Sequence, residues 1–405
     1  MKDSCALKKR WLLCSLLCSF SLSADDILSD LKEEQFRYDY RKAQLQSDML
    51  RDSWLQPLQL RYSYGKSDQY DGDSTTQNAA ISIDQPIFRS GGIYYGIKFA
   101  EASRRYSALS IDAARQKLIK EAVSLLMQIR QSDLRIAKQE LLIANAGLNL
   151  ELKTEAYLHG DLDSGFLDNA IIDKNVLIQS LYDLQTLKER QISSYESISD
   201  APYATTPVPK LTLIEEDAFT SEAIDLGLSG HEMEKSRWNS NVTRAKYLPQ
   251  ISLNAGYNWN KIENPAFAGS VIPIRNESRY TTYGMSASMP IDFNEFRDMQ
   301  IARIEELKAG VAFADKKREL QALYRQVRHN LDNSDKKIAL AHENHALYEK
   351  LLNDTKSLFQ AGYKTQYDVE MLDNSAKIQD IEIGILEYDR QLELLNLYEK
   401  VNGAI

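Results

Sequence analysis

Residues 293–360 contain no proline and a single glycine, Gly310, and that uninterrupted stretch decides most of what this chain can become. Starting at Leu320, a 4-3 spacing runs through Tyr324, Val327, Leu331, Ser334, Ile338, Ala341, His345, Tyr348 and Leu352. A mostly apolar repeat of that period is the seam of a long packed helix. As one helix, the stretch would reach roughly 100 Å at ~1.5 Å per residue. No compact domain of this size needs such a rod, so the chain must span a distance.

All nine prolines lie at 57, 86, 202, 207, 209, 249, 265, 273 and 290. Residues 87–201 and 291–405 are therefore proline-free, and both are rich in Leu, Ala, Glu, Lys, Gln and Ile. Long helices are permitted there and nearly nowhere else. With 26% charged residues, the chain does not read as one large globular core.

Residues 1–23 read as a secretory signal. Lys8, Lys9 and Arg10 precede an apolar run at 11–22, and Ser21-Leu22-Ser23 offers a small-x-small cleavage site. That run is too short for a comfortable membrane span. Cys5, Cys14 and Cys18 all fall inside residues 1–23, so the cleaved chain would have no disulfide. A lipidated Cys18 is the competing reading, but Leu17 stands where a small residue is wanted. Cleavage removes four positive charges and one negative, taking the formal charge from −9 to −12. So acidic an exported chain, without a basic stripe among aromatics, is a poor nucleic-acid binder.

Downstream, the same programme appears twice. Residues 24–53 look helical, with Leu28, Leu31, Leu45, Met49 and Leu50 on a broken apolar face. The period then changes to two, setting Leu58, Leu60, Tyr62 and Tyr64 against Gln59, Arg61 and Ser63. After a polar segment at 65–78, Ala79, Ile81 and Ile83 alternate with Ala80, Ser82 and Asp84 until Pro86 and Gly91-Gly92. A helix over 93–159 follows, with Ile111, Ala114, Leu118, Ala122, Leu125 and Ile129 spaced for one face. Residues 160–165 interrupt it, and 166–199 are helical again.

A connector at 201–217 leads to a helix at about 219–246. Residues 247–257 then align without gaps on 54–64. Ile251, Leu253, Ala255, Tyr257 and Trp259 alternate with Ser252, Asn254, Gly256 and Asn258. Past a polar loop at 260–279, Tyr283, Met285, Ala287, Met289 and Ile291 alternate with Gly284, Ser286 and Ser288. The long helix breaks at 361–364, and a last helix covers about 366–401. The chain thus divides into a signal (1–23), a first repeat (24–200), a connector (201–217) and a second repeat (218–405). Each repeat is helix, β-hairpin, long helix, tip and returning helix.

Four amphipathic strands of this length suit a tilted crossing of an outer membrane, although alternation alone also suits hairpins on a soluble core. Tyr62, Tyr64, Tyr257, Trp259, Tyr280 and Tyr283 are the candidate interfacial aromatics. Four strands do not close a barrel, and hydrocarbon does not tolerate an open edge. Each chain would therefore supply a fraction of a shared barrel.

The residues at this point resemble the TolC-like outer-membrane efflux proteins. The resemblance rests on Tyr247-Leu248-Pro249-Gln250-Ile251, on Met289-Pro290-Ile291, and on Gly362-Tyr363-Lys364-Thr365-Gln366-Tyr367-Asp368-Val369. It implies a mainly α fold with a membrane β-barrel. In that fold a trimeric, twelve-stranded barrel with four strands per chain continues into a long periplasmic α-helical barrel. It further implies a homotrimer in the outer membrane that receives cargo from an inner-membrane efflux or secretion pump through a periplasmic adaptor. Two departures stand out: Glu370 replaces the usual Leu after Val369, and Phe166 occupies the first-repeat counterpart of Asp368.

Gly160 and Gly362 read as helix-ending glycines. With Asp161, Asp163, Lys364 and Thr365 they mark the periplasmic tips, where the resemblance places adaptor docking. Asp368 and Asp373 are the candidate pore constriction, against the simpler reading of Asp368 as a helix-start carboxylate. His342 and His345 lack a third ligand and read as ordinary packing. No catalytic set, phosphate loop, cofactor or metal motif is evident, and no enzyme activity is expected. The reading is a passive outer-membrane exit duct. Its alternative is an exported coiled-coil scaffold or adhesin without a pore.

Overall fold

The computed structural model describes residues 27–68, 73–264 and 274–401. The expected signal at 1–23 lies outside them. The chain starts with α1 (Asp30–Arg51), β1 (Gln59–Ser67), β2 (Ser74–Phe88), α2 (Gly92–Leu158) and α3 (Ser164–Glu196). It continues with α4 (Glu216–Glu222), α5 (Ile224–Lys246), β3 (Gln250–Asn264), β4 (Ile274–Ser288), α6 (Glu295–Gln360) and α7 (Gln366–Tyr398). The two rods, α2 and α6, hold 67 and 66 residues, or roughly 100 Å each at 1.5 Å per residue.

The 4-3 seam of α6 is visible in its burial. Leu320, Tyr324, Val327, Leu331, Ala341 and Leu352 are buried, and Ser334, Ile338, His345 and Tyr348 are half-buried between exposed neighbours. The apolar core sits at mid-shaft. There Ile119, Val123, Leu126 and Met127 of α2 join Leu394, Leu395 and Leu397 of α7, all at most 1% exposed. Phe219 packs on Tyr324 with ring centroids 5.7 Å apart, and the Tyr324 hydroxyl donates to the Ile214 carbonyl at 2.8 Å. The connector is thereby pinned against the shaft.

The four strands form one antiparallel sheet in the order β1-β2-β3-β4. The two hairpins meet through β2 and β3, with Ala79 opposite Trp259 and Ile83 opposite Ala255. All three long strands have 15 residues, more than the alternation suggested. Mostly polar residues at 65–67, 74–78, 260–264 and 275–279 extend the ladder beyond the apolar stretch, where side-chain alternation no longer signals a strand. Pro86 does not end β2. The strand continues to Phe88 through a register shift, a usual place for a residue that donates no ladder bond.

Other expectations need correction. The apolar face of α1 points outward: Leu31, Leu45 and Met49 are exposed, whereas Phe36 and Ser47 turn inward. Ala114 is exposed, and Gln116 is buried in the shaft instead. There Gln116 donates to the carbonyls of Tyr398 and Val401 where α7 ends. The helix expected at 219–246 breaks at Ala223, whose extended backbone forms a bridge with Val401. The last strand stops at Ser288, leaving Met289 and Ile291 outside the ladder.

Candidate functional site

The two tips are built by the same local chemistry. At the first, Gly160 adopts φ +81°. Its N–H donates to the Tyr157 carbonyl at 3.0 Å, and the Asp161 N–H donates to the Ala156 carbonyl at 2.9 Å. At the second, Gly362 adopts φ +82°, its N–H donates to Phe359 and the Tyr363 N–H to Leu358, both at 2.9 Å. This paired closure of a helix C-terminus needs the left-handed backbone that glycine reaches without penalty. Three residues beyond each glycine stands the next N-cap. The Asp163 carboxylate accepts from the Gly165 N–H at 2.6 Å, and the Thr365 hydroxyl accepts from the Asp368 N–H at 3.2 Å.

Asp368 completes a reciprocal cap. Its carboxylate accepts from the Thr365 N–H and the Thr365 hydroxyl, each at 2.9 Å, and Lys364 Nζ lies 3.6 Å away. The Thr365 backbone donor, aided by the Thr365 hydroxyl and Lys364, holds the Asp368 carboxyl below its ordinary pKa. Asp373 pairs with Lys377 one turn on, at 2.6 Å. Each constriction candidate therefore has a lysine beside it, Asp368 one from the tip that precedes α7 and Asp373 one from α7 itself. In the first tip Phe166 stands at the position of Asp368, so no equivalent reciprocal cap is formed.

One tip contact had no sequence signal. The Tyr367 hydroxyl donates to Glu155 Oε1 at 3.1 Å, tying the start of α7 to the last turns of α2. This bond puts both tips at the same end of the shaft and holds the tyrosine proton above its ordinary pKa. Further along the same two helices, Asn374 Nδ2 donates to Asn145 Oδ1 at 2.8 Å and Lys138 pairs with Glu382 at 2.7 Å. Gln131 donates to the Asp389 carboxylate at 2.7 Å. A polar ladder thus joins α2 to α7 from tip to core. No local pattern reveals such partners, which lie more than 200 residues apart.

At the opposite end, cross-strand register assigns each strand residue to a face. Leu60, Ile81 and Tyr257 share one, together with Leu58, Ile83, Ala255 and Tyr283, and with Tyr62, Ala79 and Trp259. Tyr64 lies there too, beside Gln77 and Lys261, where the apolar stretch gives way to charge. The face is uncovered: Tyr283 is 89% and Met285 71% exposed. Tyr280 departs from the expected set. It pairs with Asn258 and so lies on the opposite, polar face with Arg61 and Ala80. An odd separation from Tyr283 on one strand puts the two side chains on opposite sides.

Among the described residues no helix is long and apolar enough to cross a membrane, and no cluster of His, Cys, Asp or Glu is arranged to hold a metal ion. His345 sits on the half-buried seam of α6, and His342 is exposed. The exposed apolar surface at this end lies on the sheet. Along β3, residues 251–259 cover about 26 Å at ~3.3 Å per residue, a length suited to a tilted strand in the apolar band of an outer membrane.

A four-stranded sheet with one bare apolar face, carried on two rods of 67 and 66 residues, is the architecture to compare with known proteins. Residues 221–403 match the family model described as "Outer membrane efflux protein". No curated protein sequence matches the chain. Among solved structures, the CmeC outer membrane channel of Campylobacter jejuni is similar, with a TM-score of 0.72 and 12% identity, over 95% of this chain and 85% of that one. VceC of Vibrio cholerae gives a TM-score of 0.66 at 15% identity, over 91% and 92%. The open state of the Neisseria gonorrhoeae MtrE outer membrane channel gives 0.64 at 15%, over 94% and 87%. The chain thus shares the fold of these outer-membrane channels over nearly its whole length, and its second half matches the efflux-protein model in sequence.

Proposed function

We propose that three copies of this chain close a twelve-stranded barrel and a continuous helical tunnel. The assembly serves as the exit duct of a tripartite efflux or type I secretion system. The observation that carries this reading is the sheet itself, in which β1 and β4 each have one unpaired edge and the apolar face is bare. In hydrocarbon, such edges must find partners in other copies. The chain then acts in two parts, a first repeat at 24–200 and a second at 218–405, joined by the connector at 201–217.

The tip residues Gly160, Asp161, Asp163, Gly362, Lys364 and Thr365 form the end that a periplasmic adaptor grips, with an inner-membrane pump behind it. Their exposure and rigid caps support this role. Opening moves α7 relative to α2, so the Tyr367–Glu155 bond opposes it. Differential contacts of the adaptor with the two states would supply the driving energy. Asp368 and Asp373 line the narrow end in this scheme as Asp–Lys pairs, not as bare carboxylates.

Detergent extraction and planar bilayer recording test the proposal. A duct needs detergent to leave the membrane and gives stepwise conductance. A soluble, non-conducting protein would instead be the exported scaffold or adhesin.

A further inference from the structure

Opposite the apolar face, the described strands carry only two charged side chains, Arg61 and Asp84. The rest of that face is Ser, Thr, Asn, Gln, Gly and Ala with Tyr280, Pro86 and Ile262. Arg61 lies opposite Ala80, which lies opposite Asn258, and Gln59 and Ser63 flank it along β1. Among the described residues it has no ion pair and no hydrogen-bonded partner, and it is exposed. Asp84 is four residues from Ala80 along β2, about 13 Å away at ~3.3 Å per residue. That exceeds the ~8–10 Å screening length at ordinary ionic strength, so the two charges do not cancel.

Leu60 and Tyr62, the neighbours of Arg61 in sequence, point to the apolar side. Cross-strand register thus puts the guanidinium in the barrel's water, where its charge needs no protein partner. The outward face shows the contrast. There Arg279 pairs with Glu277 at 2.6 Å and Lys261 with Glu263 at 2.9 Å. Charged side chains on the outside are neutralised, and the one cation on the inside is not.

We infer that Arg61 is a selectivity residue of the barrel. Resting on the trimeric channel proposed above, three copies place three unpaired guanidinium groups around the lumen, about 13 Å along the strands from the three Asp84 carboxylates. Their field concentrates anionic solutes, such as carboxylate- or phosphate-bearing cargo, and opposes small cations on the last part of the route.

The test is the reversal potential of the purified full-length protein in planar bilayers under a KCl gradient. Wild type is compared with Arg61→Gln, Arg61→Glu and Arg61→Lys. The chloride-to-potassium permeability ratio should fall by about twofold in Arg61→Gln and further in Arg61→Glu, and Arg61→Lys should retain it. The differences should shrink toward 1 M salt, where screening shortens to about 3 Å. If wild type conducts and the Gln and Glu variants keep its reversal potential, the inference is overturned while the channel stands. If wild type itself does not conduct, the channel reading falls and takes this one with it. Arg61→Gln keeps the test informative should the charge reversal fail to insert.

Discussion

Tyr367 and Glu155 are joined by a hydroxyl–carboxylate hydrogen bond of 3.1 Å between α7 and α2, in the turns nearest the tips. No reciprocal bond is built from the first repeat, because Gly165 occupies the position corresponding to Tyr367. The link between the helix pairs is therefore one-sided, and its loss leaves nothing equivalent behind at that level.

Replacing Tyr367 with Phe removes the donor and keeps the ring. The expected outcome is a channel that opens more readily, with open-state occupancy raised by about twofold for so exposed a contact. Single-channel recording measures it, and Glu155→Gln should move the same way by less, since an amide oxygen still accepts.

The reciprocal cap at Thr365 and Asp368 gives the tip a pH dependence of definite sign. The folded pKa of Asp368 is lowered, so its contribution is complete above the unfolded carboxylate value of about 3.9 and disappears as pH falls through the depressed value. The protection of the amides at 365–370, measured against their intrinsic exchange rate at each pH, should be full at neutral pH and fall in acid below that point. Thr365→Ala should cost about 1 kcal/mol locally and quicken the same amides at every pH.

Two tyrosines three residues apart test the register of β4. Tyr283 lies opposite Ala255, at the centre of the 251–259 stretch rather than at its rim, so lysine there would face lipid at a cost of about 2–4 kcal/mol, whereas lysine at Tyr280 would face water at little cost. Membrane assembly should fall for Tyr283→Lys and hold for Tyr280→Lys, read from the yield of membrane-inserted protein.

The mid-shaft core offers a stability test independent of the membrane. Leu394 is fully buried between the rods, and Leu394→Ala should destabilise the helical shaft by about 2–5 kcal/mol. Thermal unfolding followed by helical circular dichroism checks it.

Much of this architecture is written locally. Proline-free intervals, tip glycines and alternating strands need only neighbouring residues, so the rods, the hairpins and the 4-3 seam of α6 are readable from the chain alone. The strand ends are not: charged Lys261, Glu263, Arg275 and Glu277 stand where the apolar alternation would have to continue, so no apolar face marks the strand there. The side assigned to Tyr280 depends on cross-strand register. Glu155 with Tyr367 and Asn145 with Asn374 depend on how two rods dock, which polar residues on separate helices do not announce. The outward face of α1 has a similar cause: its apolar spacing does not say that Leu31, Leu45 and Met49 stay exposed while Phe36 and Ser47 turn inward.

The most direct measurement is the mass of the detergent-solubilised, membrane-extracted particle, taken together with its conductance in a planar bilayer. The account predicts three chains per particle and stepwise currents. A monomer that leaves the cell envelope without detergent and passes no current would contradict it.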